Sequence, residues 1–498
     1  MQEWFTDSHD TFHRALKTAT VLHDEAFTTC STCEQKPWFS FFFDGTGNNL
    51  ELDKPRQKMS NISRLFEGHV ADEEPLIVSF YYPGVGTPLG AGDPSWVERI
   101  RDSEEFGGGA GLGSDARLAE AEANFRLALR RNHKVTRIDI AVFGFSRGAA
   151  LARAFVNRLL KQCEMRHGRP FWPCPTAVDG EAAPLHIRFL GLFDTVESVG
   201  LPGHNLNSDM WMRIPDQVER CFHIAAGHEL RAYFPLTRAH DGGAPVEKLI
   251  WPGVHSDIGG GYRPGEQARS DLLARIALNR MRLEGAISGV PFTAPSLASK
   301  DVHDLFEYDE DVKALFDEYM SHVDAGGTLE AQIFRHMRLY YGWLKERFEQ
   351  KPCDIYKNVC STDPEVQAQL QRIQAFHERL KVEVDTMNWR SYLTELWKTN
   401  RSEYDRTIDA AGGPRSPMNQ PLSDEEAAYW EAWVNPPKLS PGLLRLFDHY
   451  IHDSRAGFLR VDHSGYLRPR ELIAPSGAEH LLNKTLALTG TGAAHVFG

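Results

Sequence analysis

The stretch VTRIDIAVFGFSRGAALARAF, residues 135–155, decides how this 498-residue chain is read. Its first half is short, apolar and rich in Ile and Val, the texture of a buried strand. Its second half is dominated by Ala, Leu and Arg, which favour helix. Between them stands Gly144-Phe145-Ser146-Arg147-Gly148, a GxSxG segment. A strand running through a sharp turn into a helix is the setting in which a serine hydroxyl is exposed at the edge of a sheet as a nucleophile. The two glycines let strand and helix approach, and Ala149 and Ala150 keep the following turn small. The plainer explanation of Ser146 is an ordinary helix N-cap.

Working outward, four more runs share the strand texture: WFSFFFDG (38–45), PLIVSFYYPGVG (75–86), PLHIRFLGLFD (184–194) and KLIWPGVHSD (248–257). Each ends in turn chemistry. Helical patterns at 116–132 and 147–163 lie between them. Alternation of this kind predicts an α/β fold, a mostly parallel sheet flanked by helices. Such a sheet presents its ligands beyond the carboxyl ends of its strands. Asp44, Ser146, Asp194 and His255 all fall there.

From about residue 296 the strand texture stops and amphipathic helices take over, with apolar positions such as 312, 315, 316, 319 and 323. Ser361-Thr362-Asp363-Pro364 reads as a helix start with Pro in the first turn, and Ser423 with Glu426 as a capping box ahead of Tyr429, Trp430 and Trp433. NPPKLSPG (435–442) reads as a hinge-like break. The expected organisation is a helical lead-in over 1–36, a hydrolase-like domain over 37–295, a helical region over 296–440 and a C-terminal segment over 441–498 that packs back on the domain.

Composition narrows the function classes. Hydrophobic residues are 42% and charged residues 25% of the chain, which excludes a disordered or fibrous protein. The net charge of −13 lacks the basic footprint of a nucleic-acid binder. There is no run of about 18 apolar residues, so no transmembrane span is expected. The first twenty residues carry acids where a signal peptide carries a basic patch and an apolar stretch. The expectation is synthesis in the cytoplasm and no export by a cleavable signal. Seven cysteines, among them a lone Cys30-x-x-Cys33, do not make a disulfide framework or a zinc site. No cofactor or metal is expected.

A serine hydroxyl needs a base, and the base an orienting acid. In this class of sheet the chain order is Ser, acid, His. Asp194 closes the strand that follows Ser146, and His255 follows a later one, so the expected triad is Ser146, Asp194 and His255. His452, in His452-Asp453, is the rival base. The oxyanion hole needs two backbone N–H donors. Arg147 is expected to supply one, and Gly45 or Thr46, in the Asp44-Gly45-Thr46-Gly47-Asn48-Asn49 loop, the other. The same loop ends like a phosphatase DxDGT signature, but Phe42 stands where the nucleophilic Asp belongs. GGGAGLG (107–113) fits no dinucleotide fingerprint and reads as a mobile loop.

FFFDGTGNN, YYPGVGT, GGAGLGSDARLAEA, VFGFSRGAALARAF, GLFDTV and WPGVHSDIGGGY occur in that order. Together they resemble the catalytic domain of the first family of type VI secretion lipase effectors, an α/β-hydrolase branch, over roughly residues 37–285. The resemblance implies a phospholipase A acting on bacterial membrane glycerophospholipids, carried by a type VI spike protein, countered by an immunity protein and acting at the target-cell membrane or periplasm. It implies the same triad. It also suggests that 296–440 engages membrane, for which Tyr429, Trp430 and Trp433 are the candidates. An esterase or thioesterase on soluble acyl substrates, and a hydrolase-fold binding module without activity, are the alternatives.

Overall fold

The pleat of one aromatic strand organises both faces of the sheet. In β1 (Trp38–Phe43) successive side chains point to opposite sides, and all six are buried. Phe39, Phe41 and Phe43 face helices α3 (Ala110–Leu129) and α4 (Arg147–Lys161), meeting Phe125 and Phe155. Trp38 and Phe42 face the other way, where Phe42 stacks on Phe143 with ring centroids 4.9 Å apart. The fold is taken from a computed structural model. It describes residues 34–70, 76–87, 110–197, 212–239, 245–349, 362–413, 416–455 and 465–475. Cys30, Cys33 and nearly all of the expected lead-in lie outside these residues.

The five expected strands are all present. They are β1, β2 (Ile77–Tyr82), β3 (Ile138–Phe145), β6 (Ala182–Phe193) and β9 (Val246–Trp251). A sixth, β7 (Cys221–Ala226), was not expected, although CFHIAA has the same buried, β-rich texture. The parallel sheet runs β2-β1-β3-β6-β7-β9. A short hairpin, β4 (Glu164–Arg166) and β5 (Arg169–Pro173), pairs antiparallel with the first residues of β6. The chain passes from β1 to the β2 edge and then crosses to the other side of β1 as β3. The switch point therefore lies between β1 and β3, and the crevice beyond their carboxyl ends is where a ligand belongs.

Short helices α1 (Leu50–Asp53) and α2 (Asn61–Glu67) follow β1, and α5 (His255–Gly259) and α6 (Leu273–Ile287) follow β9. Of the glycine-rich stretch at 107–113, Ala110–Gly113 forms the first turn of α3, so that part is helix rather than loop.

Beyond residue 296 come α7 (Lys300–Asp304), α8 (Glu310–Ser321), α9 (Leu329–Glu349), α10 (Pro364–Thr399), α11 (Arg401–Ala410), α12 (Asp424–Val434) and α13 (Pro441–His449). Asp363 caps α10 with Pro364 in its first turn, and Ser423 and Glu426 form the expected reciprocal box. These helices share one continuous apolar core with the second face of the sheet. Phe316, Met337, Trp433 and Phe447 belong to the same buried cluster as Phe143 and Phe222. Trp433 is buried and Trp430 packs partly buried against that core. Tyr429 lies on Phe334 and bonds Glu425. Trp433 therefore has no surface to offer a membrane. The 435–442 break is also tightly packed: a Cβ on Gly342 of α9 would come 2.7 Å from the Pro437 carbonyl. No helix among the described residues is long and apolar enough to cross a membrane.

A buried polar chain joins α8 and α9 to the sheet. Gly253 N–H donates to His228 Nδ1 at 3.0 Å, which leaves the His228 proton on Nε2, donated to the Tyr319 oxygen at 3.0 Å. Tyr319 O–H then donates to His336 Nδ1 at 2.8 Å. The direction of every bond follows from the one backbone donor at its start. Tyr319→Phe strands two buried imidazole nitrogens and is expected to destabilise the fold by about 2–4 kcal/mol, read as a shifted denaturant midpoint. Burial also pushes His228 and His223 down to about 3. Both stay neutral in the fold while the unfolded chain binds protons below about pH 6.5. Stability is thus expected to be full above pH 6.5 and to fall as pH drops toward 3, in a series of melting temperatures against pH.

Candidate active site

Ser146 sits between β3 and α4 with φ 58° and ψ −126°, a conformation that costs a non-glycine residue of order 1–3 kcal/mol. The surroundings impose it. Ser146 N–H donates to the Phe193 carbonyl at 3.0 Å, while its own carbonyl accepts from Ala149 and Val196. The flanking glycines are required by contact. A Cβ on Gly144 would lie 2.4 Å from the Gly148 carbonyl, and one on Gly148 would lie 2.2 Å from the Phe43 carbonyl. The Ser146 side chain caps nothing, so the ordinary N-cap explanation does not hold.

Asp194 follows β6 and is fully buried, again with positive φ, 42°. Its Oδ2 lies 2.5 Å from His255 Nδ1. Its Oδ1 accepts from Ala226 N–H at 2.9 Å and from Arg470 Nη1 at 2.5 Å. Burial alone would raise this carboxyl, but the Arg470 cation and then the His255 hydrogen bond outweigh it and hold Asp194 well below the usual carboxylate range. His255 opens α5, and its backbone N–H donates to Glu229 Oε2 at 3.2 Å. Phe145 and Phe234 wall its ring at 4.6 and 5.0 Å. Burial keeps His255 below the ordinary histidine value, against the pull of Asp194. His255 is therefore neutral near pH 7, with its proton on Nδ1. Its Nε2 is buried and has no hydrogen-bond partner among the described residues. It makes no bond to Ser146 Oγ in this structure.

His452 forms a second pair, its Nδ1 2.6 Å from Asp257 Oδ1 and its ring stacked on Tyr262 at 3.9 Å. Its backbone N–H also donates to Asp257, whose side chain caps α5. The pair braces the 451–455 segment against the helix that carries His255. Asp453 bonds the Arg455 amide within that segment.

The loop after β1 is shaped by Asp44. Its Oδ1 takes the Gly45 amide at 2.7 Å, and its Oδ2 takes Ser63 and Tyr81 hydroxyls at 2.8 and 2.6 Å. Burial, against those hydrogen bonds, raises Asp44 to about 6. The expectation for Gly45 is corrected here, because its N–H is already committed to Asp44. Thr46 remains, and its hydroxyl accepts from Arg147 Nε at 2.5 Å, which ties this loop to the turn that bears Ser146. Arg470 and Glu229 went unnoticed in the sequence. Arg470 lies in no motif, and Glu229 follows a strand that was itself overlooked.

Residues 39–169 and 174–284 match the family described as type VI secretion system phospholipase effector Tle1-like, catalytic domain. Residues 39–284 are a Tle1-like catalytic domain. The match encloses Asp44, Ser146, Asp194 and His255, and leaves Arg470 and His452 outside. No curated protein sequence matches the chain. A solved structure of an uncharacterized protein from Pseudomonas aeruginosa is 23% identical, covers 94% of this chain and 83% of its own, and has a TM-score of 0.62. That shared fold extends past the Tle1-like domain into the helical addition. The Tle1 effector bound to the VgrG spike of the type 6 secretion system is 19% identical, over 61% of this chain and 84% of its own, with a TM-score of 0.39. A thermostable esterase from Pseudomonas putida is 12% identical, over 62% and 94%, with a TM-score of 0.23.

The Tle1-like loop after β1 is held closely from one side. A Cβ on Gly84 would lie 1.7 Å from the Gly45 carbonyl. Gly84→Ala is expected to displace the Asp44–Asn48 loop and to lower turnover about a hundredfold with the fold retained, checked by comparing kcat with the melting temperature.

Proposed function

We propose that this chain is a serine phospholipase of the type VI effector kind, hydrolysing acyl esters of bacterial membrane glycerophospholipids. The observation that carries the reading is the strained Ser146, whose N–H is held by the Phe193 carbonyl next to Asp194, together with a buried, neutral His255 whose Nδ1 is held by that same Asp194. The family match supports the phospholipase assignment over an esterase or thioesterase on soluble substrates.

In the proposed reaction Ser146 Oγ attacks the acyl carbonyl carbon as His255 Nε2 takes its proton. The carbonyl oxygen becomes an anion and accepts from the backbone N–H groups of Arg147 and Thr46. The carbonyl re-forms, the ester C–O bond breaks, and His255 returns the proton to the leaving alcohol, the lysophospholipid. Water then attacks the acyl-enzyme by the same route, releasing fatty acid. Asp194 keeps the Nδ1–H tautomer and stabilises the imidazolium without itself taking the proton. The missing Ser146–His255 bond is ordinary for a site without substrate.

Delivery by a spike protein, protection of the producing cell by an immunity protein, and action at the target-cell membrane or periplasm belong to this proposal through the family match. The helical region is proposed to serve access to lipid through surfaces other than Trp433. Ser146→Ala is expected to keep its melting temperature, to lose fatty-acid release from phospholipid vesicles by several orders of magnitude, and to lose labelling by a fluorophosphonate. Equal labelling of both proteins would refute the nucleophile. Trp433→Ala is expected to lower the melting temperature and to reduce activity on vesicles and on a short soluble ester in parallel.

A further inference from the structure

The buried Asp194 carboxylate receives a cation from a part of the chain that lies outside the catalytic domain match. Arg470 belongs to a strap, residues 465–473, that runs from the helical addition to the site. At one end Glu383 of α10 accepts the Tyr466 and Leu467 amides at 2.7 and 3.1 Å, and Tyr341 of α9 donates to the Leu467 carbonyl at 2.7 Å. At the other end β10 (Leu472–Ile473) pairs with β8 (Leu236–Thr237), beside the Phe234 that walls His255. Between these anchors the Arg470 side chain is 1% exposed. Its Nε donates to the Phe234 carbonyl at 2.7 Å and its Nη1 to Asp194 Oδ1 at 2.5 Å.

We propose that Arg470 is a positioning residue for the Asp194–His255 pair: it keeps the buried carboxylate ionised and aimed at Nδ1, and so sets the pH above which His255 accepts the serine proton. The inference rests on the serine-hydrolase reading above and deepens it. Asp194 has two oxygens and both are used, one for His255 and one for Arg470 and Ala226. The oxygen that faces Arg470 cannot swing toward the imidazole without breaking a charge-assisted bond. Removing the guanidinium leaves an uncompensated buried carboxylate, which burial drives toward its neutral form. The pair then retains a proton to higher pH, because Asp194 and His255 titrate together. Loss of the repulsion between Arg470 and an imidazolium acts in the same direction. The other groups facing the pair stay in place: Glu229 and Arg231 from the loop after β7, His223 of β7 bonded to Thr195, and Asp257 of α5 paired with His452 of the 451–455 segment. They form a constant background to the change.

The test separates geometry from chemistry by working first in the Ser146→Ala protein, which needs no substrate. The His255 titration is followed by NMR in Ser146→Ala alone and with Arg470→Gln, which keeps an N–H donor and so preserves packing, and with Arg470→Lys, which keeps the charge. Arg470→Gln is expected to raise the His255 midpoint by about one unit or more, and Arg470→Lys to restore most of it. With Ser146 present, the acid limb of kcat/KM on a short soluble ester is expected to move upward by the same amount. In that protein kcat per fluorophosphonate-labelled site falls tenfold or more while KM stays nearly constant. A folded Arg470→Gln protein with an unmoved His255 midpoint and an unmoved acid limb overturns the proposal and leaves Arg470 as a fastening of the strap. Failure of the serine reading has a different signature, full activity in Ser146→Ala, and leaves the NMR comparison valid.

Discussion

A single carboxylate, Asp194, is the point on which this architecture converges. It stands fully buried at the carboxyl end of the central strand β6, and a bare charge there would be expensive. Four pieces of chain make it tolerable. The end of β7 supplies the Ala226 amide, α5 supplies His255, the C-terminal strap supplies Arg470, and the Phe234 carbonyl holds that arginine in place. Each of those groups is fixed in turn by its own backbone. Ionisation of one side chain is thereby linked to the order of the sheet, of the loop after β9 and of a strap near the end of the described chain.

The helical addition is bound into this arrangement. Its apolar residues fill the same core as the second face of the sheet, and the chain of Gly253, His228, Tyr319 and His336 crosses the boundary in one unbroken line of hydrogen bonds. His228 is followed directly by Glu229, which holds the His255 amide. Glu383 and Tyr341 hold the strap that carries Arg470. The helices thus reach the candidate site from two sides through polar contacts. Their aromatic residues divide accordingly: Trp433 is core, while Tyr392 and Trp397 of α10 remain about half exposed, at 50% and 46%.

The turn at Ser146 shows how local strain is kept. Positive φ at a serine persists because Phe193, Ala149 and Val196 take up its backbone groups and because only glycine fits at 144 and 148. The loop after β1 is treated in the same way, with Asp44 gathering the Gly45 amide and two hydroxyls. Arg147 and Thr46 join the two turns side by side at the switch point of the sheet.

Much of this was legible in the residues alone. Short, β-rich apolar runs ended by turn residues marked five of the six parallel strands, because strands buried on both faces must be largely apolar along their length. Turn glycines around Ser146 and the order Ser146, Asp194, His255 placed three side chains at strand ends, since a parallel sheet sends all its carboxyl ends to one edge. The sequence also marked the α12 capping box, because both partners lie within one turn. Tertiary structure decided the rest. That Gly45 spends its amide on Asp44, that Trp433 faces inward, and that His452 pairs with Asp257 depend on which segments meet, and no local period encodes that. Arg470 is the clearest instance. Its chemistry follows from a buried carboxylate far away in the chain, and only folding brings the two charges to hydrogen-bond distance and removes the water that would otherwise weaken their attraction.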